Sequence, residues 1–228
     1  MKLSISMTGR EKTLGAGFLL ISMFALPFAL GIISALLPRP LTNTEVNLLY
    51  FSINYLCVVL IFRNFLRESV KKFLATPKRC LCWAWWGMVA YYGVSFLLGK
   101  GIRAVSPDFS NVNDDSIAQM TQSYSLLMVL ATGILVPIYE EVFYRGLLFQ
   151  GLHQKSRALA YCVSIAVFAF IHIMGYVGSY DGLTLLLCFV QYLPAGVILA
   201  YVYQRTDTIV SPILIHIMIN QIGLLFTR

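Results

Sequence analysis

The chain has 228 residues, of which 58% are hydrophobic and only 12% are charged, and its formal net charge is +7. A soluble domain carries about 25% charged residues, so this composition excludes an ordinary soluble protein. It indicates an integral membrane protein of one domain. The basic residues lie in short loops between apolar runs, which favours orientation signals over a phosphate-binding surface. We therefore expect that the chain lies in a lipid bilayer and that it does not bind nucleic acid.

Apolar runs alternate with short polar segments along the whole chain, and each run is near the roughly 20 residues that cross a bilayer as a helix. There are about seven: Thr13–Pro38, Val46–Phe62, Leu81–Gly99, Ser123–Phe149, Leu159–Val177, Leu183–Tyr203 and Ile209–Phe226. The sixth contains Pro194-Ala195-Gly196 and can be kinked or split, which would make eight. We predict an all-α fold, a polytopic transmembrane helix bundle that forms a single integral membrane domain over residues 1–228.

The loop charges predict the orientation of this bundle. The loop after the second run holds six Lys or Arg residues and a single acidic residue, and the loop after the fourth run holds Lys155 and Arg157. The alternate loops are richer in aspartate, above all the polar segment 100–122. Because an excess of Lys and Arg marks the cytoplasmic side, we expect a cytoplasmic amino terminus and an external segment 100–122.

The fourth run contains Glu140-Glu141-Val142-Phe143-Tyr144-Arg145-Gly146. Charged groups persist in hydrocarbon only when they face the protein interior, find partners or line a water-filled cavity. Glu141 and Arg145 stand four residues apart, in the favourable order for an ion pair, whereas Glu140 lies about 100° away around the helix. We predict that Glu141 and Arg145 form a structural pair and that Glu140 is free for chemistry. The alternative is that all three charges only lock helices together.

Further polar side chains occur in two later runs, as Phe168-x-x-x-His172 and His216-x-x-x-Asn220. The spacing of four places His216 and Asn220 on one helical face. A lone histidine in such a helix is more often a satisfied core residue, and Asn or His commonly form interhelical hydrogen bonds. At a rise of about 1.5 Å per residue, Glu140, His172 and His216 can nevertheless meet at one depth in the cytoplasmic half of the bilayer.

A meeting of Glu140, His172 and His216 would suit hydrolysis in two ways. Two histidines and a carboxylate form a catalytic zinc set with an open fourth position, although the soluble motif H-E-x-x-H is absent. Without metal, Glu140 would take a proton from a water that a histidine orients, while His216 and Asn220 donate hydrogen bonds to the oxyanion. Residue chemistry alone leaves open an intramembrane hydrolase and a polar-cored channel, transporter or binding protein.

The three motifs resemble those of the CPBP family, which comprises the CAAX proteases and the bacteriocin-processing or immunity proteins, also called Abi proteins. The approach from Tyr203 to His216 is similar as well, and the resemblance covers about residues 123–221. It implies an intramembrane endopeptidase with a polar chamber that opens toward the cytosol. By the same resemblance, Glu140 activates the water, His172 helps to hold it, His216 and Asn220 stabilise the oxyanion, and Glu141 and Arg145 support the first motif.

The resemblance leaves the cofactor open, because the family is labelled metalloprotease while a metal-free glutamate mechanism is also argued for it. If a metal is used, zinc held by Glu140, His172 and His216 is expected. The compact chain and the family favour a bacterial plasma membrane and a peptide or membrane-associated protein as substrate, in peptide processing or bacteriocin self-immunity. The rival hypothesis is a non-catalytic membrane partner that modulates a sensor kinase or sequesters a bacteriocin.

Overall fold

The computed structural model describes residues 3–123 and 125–226. These residues form helices and no strand, so the predicted all-α fold is confirmed. The helices are α1 Gly9–Leu36, α2 Asn43–Ile61, α3 Arg63–Ala75, α4 Pro77–Val105, α5 Val112–Ser123, α6 Leu126–His153, α7 Arg157–Met174, α8 Gly182–Thr206 and α9 Val210–Phe226.

Six of these helices are long and apolar enough to cross a membrane, namely α1, α2, α4, α6, α7 and α8. The apolar helix α9 is shorter, with 17 residues. Together they correspond to the seven predicted runs. Pro194 lies inside α8, which continues through it unbroken, so the eighth span that a split would create is not present among the described residues. The remaining helices, α3 and α5, occupy two of the polar segments.

Helix α6 lies at the centre of the bundle, in contact with α1, α2, α7, α8 and α9. In its most apolar stretch 56% of the residues are buried, against 17% in α1, α2 and α4, which expose most of their apolar surface. Because charged side chains in hydrocarbon need protein or water around them, a central helix is where the motif that begins at Glu140 can be accommodated.

Two helices contain a π-helical turn shortly before a proline: Ile21–Ala25 in α1 and Ala131–Leu135 in α6. In this register a carbonyl pairs with the N–H five residues ahead, and the carbonyls of Ser22 and Thr132 meet prolines there, which have no N–H. Both carbonyls find side-chain donors instead. Tyr50 Oη donates to Ser22 O at 3.2 Å, and Asn220 Nδ2 donates to Thr132 O at 2.9 Å. The second bond ties α9 to α6.

The end of the bundle next to α3 is closed by packing. Met7, Phe62, Phe65 and Phe149 are all buried there, and the side chain of Gln150 donates to the carbonyl of Ile5. A Cβ atom at Gly146 would lie 2.8 Å from Met7 Cε and 3.0 Å from Phe65 Cε1, so the glycine of the motif allows this close approach. Access to the interior must therefore come from another side.

Candidate active site

Three polar side chains from separate spans, whose meeting the sequence allowed, come together in the structure. Glu140 Oε2 lies 3.9 Å from His172 Nε2 and 3.8 Å from His216 Nε2. Only 8% of Glu140 is exposed, and its Oε2 atom is buried without a hydrogen-bond partner. A buried polar atom without a partner is costly, so this oxygen is a candidate for binding water or a reacting group.

The backbone of its own helix orients His172. Its Nδ1 atom lies 2.7 Å from the carbonyl oxygen of Phe168, one turn earlier on α7. A carbonyl oxygen only accepts hydrogen bonds, so Nδ1 carries the proton and Nε2 presents its lone pair toward Glu140 in the neutral ring. The spacing Phe168-x-x-x-His172 thus has a direct structural use.

The neighbouring Glu141 lies on the packed side of α6. Its Oε1 atom accepts a hydrogen bond from Arg145 Nη1 at 2.8 Å, and both side chains are fully buried. Arg145 also donates to the carbonyl of Gly196 at 3.3 Å and lies 4.2 Å from the ring centre of Phe168. The predicted ion pair is present, although α6 adopts the wider π-helical winding from Val142 to Phe149.

His216 connects the two carboxylates. Its Nδ1 atom lies 2.9 Å from Glu141 Oε1, and its Nε2 atom faces Glu140. Since an ionised carboxylate only accepts hydrogen bonds, Nδ1 donates to Glu141. The sequence predicted that the two glutamates point to different places, which they do, but it did not predict that one imidazole touches both.

A cavity of about 570 Å³ borders the site, and Glu140, His172 and Asn220 are among its lining residues. Glu141, Arg145 and His216 lie behind this wall and do not line it. Asn220 uses its amide for the carbonyl of Thr132, as described above. An amide nitrogen carries two hydrogens, so a second donor remains for a group in the cavity.

The cavity extends from Glu140 toward the α5 end of the bundle, where Asn47, Asn113, Tyr176 and Leu224 line it. This end is opposite to the closed α3 end with its basic loop. Two expectations from the sequence therefore conflict. With the amino terminus in the cytoplasm, a cavity at the α5 end faces outward, whereas the family resemblance implied a chamber that opens toward the cytosol.

The donor atoms around Glu140 have the chemistry of a zinc site, since both imidazoles direct Nε2 at one carboxylate oxygen and bind oxygen acceptors through Nδ1. Their spacing does not fit one. Across residues 3–123 and 125–226, no three His, Cys, Asp or Glu side chains are grouped so that they could hold a metal ion.

Sequence reasoning did not predict one further residue at the site. The ring of Tyr192 on α8 stacks on His172, with 4.2 Å between the ring centres and 28° between the planes. A tyrosine in an apolar run has no distinctive spacing, and the only available signal was its position two residues before Pro194 in the sixth run. The position of Tyr192 depends on contacts between helices, which no local sequence pattern shows.

The fold and the site together define a multi-pass helical membrane protein with a buried glutamate and histidine centre at an internal cavity. Residues 122–222 match the family of the type II CAAX prenyl endopeptidases, described as Rce1-like. All three motifs fall within this segment. The resemblance to CAAX-type membrane proteases is therefore confirmed over this segment.

Two bacterial proteins are similar to the chain. The "Uncharacterized 24.3 kDa protein" of Escherichia coli is 25% identical over 191 residues, which are 79% of this chain and 81% of that protein. The "Putative membrane peptidase YdiL" of Bacillus subtilis is 31% identical over 109 residues, which are 47% of this chain and 40% of that protein. No solved structure matches the chain. The matching family and the Bacillus subtilis relative both indicate a membrane protease as the class.

Proposed function

We propose that this protein is an intramembrane endopeptidase in which Glu140 activates water. The observation that carries the proposal is the buried Oε2 atom of Glu140, which has no hydrogen-bond partner and lies 3.8–3.9 Å from two histidine Nε2 atoms at the wall of a cavity. A general base must come within hydrogen-bonding reach of the proton that it takes, directly or through a water. An oxygen between two imidazoles meets this requirement.

In the proposed reaction Glu140 takes a proton from a water that also donates a hydrogen bond to the Nε2 lone pair of His172. The resulting hydroxide attacks the carbonyl carbon of the scissile peptide bond and forms a tetrahedral oxyanion. Asn220 donates its second amide hydrogen to that oxyanion. When the carbon–nitrogen bond breaks, the proton passes from Glu140 to the leaving amine, which restores the carboxylate.

The remaining polar residues would keep this arrangement in place. Glu141 holds His216 through Nδ1, and Arg145 holds Glu141, so the imidazole of His216 stays directed at Glu140. A direct contribution of His216 to the oxyanion would require protons on both ring nitrogens, because Nδ1 already donates to Glu141. In either state His216 limits how far Glu140 can move.

As substrate we propose a peptide or the tail of a membrane-associated protein, cleaved in peptide maturation or bacteriocin self-immunity at a bacterial plasma membrane. The loop charges support a cytoplasmic amino terminus, and substrate would then enter from the outer, α5 side. A membrane-impermeant maleimide should label Asn113→Cys and not Lys71→Cys in intact cells. The reverse labelling pattern would contradict the orientation and place the cavity on the cytoplasmic side.

Zinc is the alternative that the donor types of Glu140, His172 and His216 support, although their spacing does not fit a metal ion. It predicts stoichiometric metal in the purified protein and loss of activity after exhaustive chelation, with recovery on adding zinc. The metal-free mechanism predicts full activity with less than stoichiometric metal. Metal content measured by mass spectrometry on the same samples decides between the two.

The first experiment compares cells that contain wild-type protein, Glu140→Gln or Glu68→Gln at matched levels. The control makes the same chemical change at an exposed glutamate of α3. Mass spectrometry of secreted peptides and of membrane-protein termini should reveal a product with wild type and Glu68→Gln that is absent with Glu140→Gln. Loss of a general base typically costs about 10²- to 10⁴-fold in rate.

The rival function, a non-catalytic membrane partner, predicts a different result. Its polar residues would serve only packing, so Glu140→Gln would keep the phenotype of the wild type, or lose it together with folded protein. Identical peptide profiles combined with a retained phenotype would overturn the proposed peptidase.

A further inference from the structure

The imidazole of His172 is held from two directions. Its Nδ1–H bonds to the carbonyl of Phe168, and one ring face lies against the ring of Tyr192, with 4.2 Å between the ring centres. A single hydrogen bond leaves an imidazole free to swing about its side-chain torsions. The flat contact with Tyr192 removes the space into which the ring would swing, so both contacts together fix Nε2 toward Glu140.

The hydroxyl of Tyr192 is itself anchored, on the first turn of α5. Tyr192 Oη donates to Asp114 Oδ1 at 2.9 Å and accepts from Asn113 Nδ2 at 3.0 Å. One hydroxyl has a single hydrogen and two lone pairs, so it can donate to Asp114 and accept from Asn113 at the same time. The tyrosine therefore has one end on the imidazole and the other on a helix outside the family-like motifs.

The first turn of α5 is built to hold this position. Asn111 precedes α5, and its Oδ1 atom accepts from the backbone N–H of Asn113 at 3.0 Å, in the manner of a helix N-cap. The amide of the same side chain donates to Gln191 Oε1 at 3.0 Å, next to Tyr192 on α8. Two adjacent residues of α8 are thus bound to one turn of α5.

We propose that Tyr192 is a positioning residue for His172, and that the first turn of α5 fixes Tyr192 through its hydroxyl. The role of His172 in hydrolysis rests on the proposed function, but the positioning itself does not. This positioning gives α5 a role, although α5 lies outside the three motifs. It also links the mouth of the cavity to the imidazole that orients the water.

The test uses the fact that the chain contains only three histidines. The protein is labelled with ¹⁵N-histidine and studied by NMR in detergent micelles, where nitrogen shifts report the tautomer of each ring. Wild-type His172 should show the Nδ1-protonated form. Tyr192→Leu, which removes both stack and hydroxyl, should give a mixture of tautomers at His172, whereas Tyr192→Phe, which keeps the stack, should give a smaller change.

Matched variants on α5 test the anchor. Asp114→Leu removes one of the hydrogen bonds that Tyr192→Phe removes, so it should change the His172 signal in the same direction and by no more than Tyr192→Phe does. The double variant should match Tyr192→Phe, because the hydroxyl through which Asp114 acts is already absent there. Asp115→Leu is the control, since the Asp115 carboxylate bonds to Ser110 Oγ at 2.6 Å instead. His153 lies at the C-terminal end of α6, and an unchanged His153 signal reports that the fold is retained.

A wild-type spectrum at His172 in the Tyr192→Leu variant would overturn the proposal, and so would equal effects of Asp114→Leu and Asp115→Leu. If Tyr192→Leu does not fold, Tyr192→Phe and Asp114→Leu carry the same test. With a peptide that spans an identified cleavage site, Tyr192→Leu should lower kcat about tenfold at unchanged KM, and Tyr192→Phe should restore most of it. A wild-type protein without peptidase activity would overturn the proposed function, while the spectra would still decide the positioning.

Discussion

Helix α6 presents two adjacent glutamates to two different environments. On its packed side, Glu141 is fully buried and binds both Arg145 and His216. On its cavity side, Glu140 has a buried oxygen, Oε2, without a hydrogen-bond partner and close to two imidazoles. Glu141 Oε2 also lacks a partner, but Glu141 Oε1 accepts from two side chains. The short polar contacts therefore belong to Glu141, which does not line the cavity, whereas the imidazoles beside Glu140 lie beyond hydrogen-bonding distance.

The difference shows how a membrane protein can keep a reactive group in its interior. A buried carboxylate without a partner destabilises the fold, and such local costs are typical of functional sites. The neighbouring pair offsets this cost only if its geometry is good and its charges are shared. In the proposed mechanism stability and reactivity are therefore assigned to two different faces of one helix, and variants on each face should have opposite signatures.

The largest effect is expected on the packed side. Arg145→Ala leaves Glu141 buried with His216 as its remaining partner, and breaking a buried pair in this way typically costs about 3–5 kcal/mol. The amount of folded protein in membranes should fall sharply, while the exposed control Arg157→Ala should match wild type on immunoblots. Full abundance combined with lost activity would mean that Arg145 belongs to the chemistry and not to the packing.

On the cavity side, Asn220→Ala should lower the rate and leave the protein abundant. Loss of one oxyanion donor typically reduces kcat by about 10²- to 10³-fold. Gln221→Ala is a close control, because Gln221 also donates to a carbonyl of α6, that of Val129, but does not line the cavity. Steady-state kinetics on an identified peptide would check this, and equal losses in both variants would assign Asn220 to helix packing alone.

The smallest expected effect is a change in stability, and its sign should differ between the two glutamates. Glu140→Gln removes an unpartnered charge and should raise the free energy of unfolding by about 1 kcal/mol, in line with other stability–activity trade-offs. Glu141→Gln weakens two charge-assisted hydrogen bonds and should lower it by about 1.5–3 kcal/mol. Thermal unfolding of the two purified proteins in one detergent measures both, and shifts in the same direction would contradict the division between the faces.

Some of the site could be predicted because it depends on local spacing. Glu141 and Arg145 are four residues apart, and that distance brings their side chains together on almost any helix. The link from Phe168 to His172 has the same local origin. The bond from Asn220 to Thr132 is partly local too, since Pro137 frees the carbonyl, but only the packing of α9 beside α6 supplies the amide.

Other features could not be predicted because they depend on contacts between distant parts of the chain. The spacing of the motifs made a meeting of Glu140, His172 and His216 feasible, but the depth and rotation of three helices decide whether it occurs. The contact of His216 with both glutamates and the stack of Tyr192 on His172 arise from the same packing. The direction in which the cavity extends also depends on which end of the bundle is closed by packed side chains.

The sequence alone predicts the membrane environment, the apolar helices, the resemblance of the motif-bearing segment to CAAX-type proteases and the ion pair within α6. These follow from composition and from periodicities shorter than one or two helical turns. Packing in three dimensions determines that Glu140 Oε2 has no hydrogen-bond partner, that the cavity lies toward α5 and that Tyr192 connects α5 to His172. Each of these depends on the relative depth and rotation of packed helices, which side-chain volumes across many interfaces fix jointly and no single segment encodes.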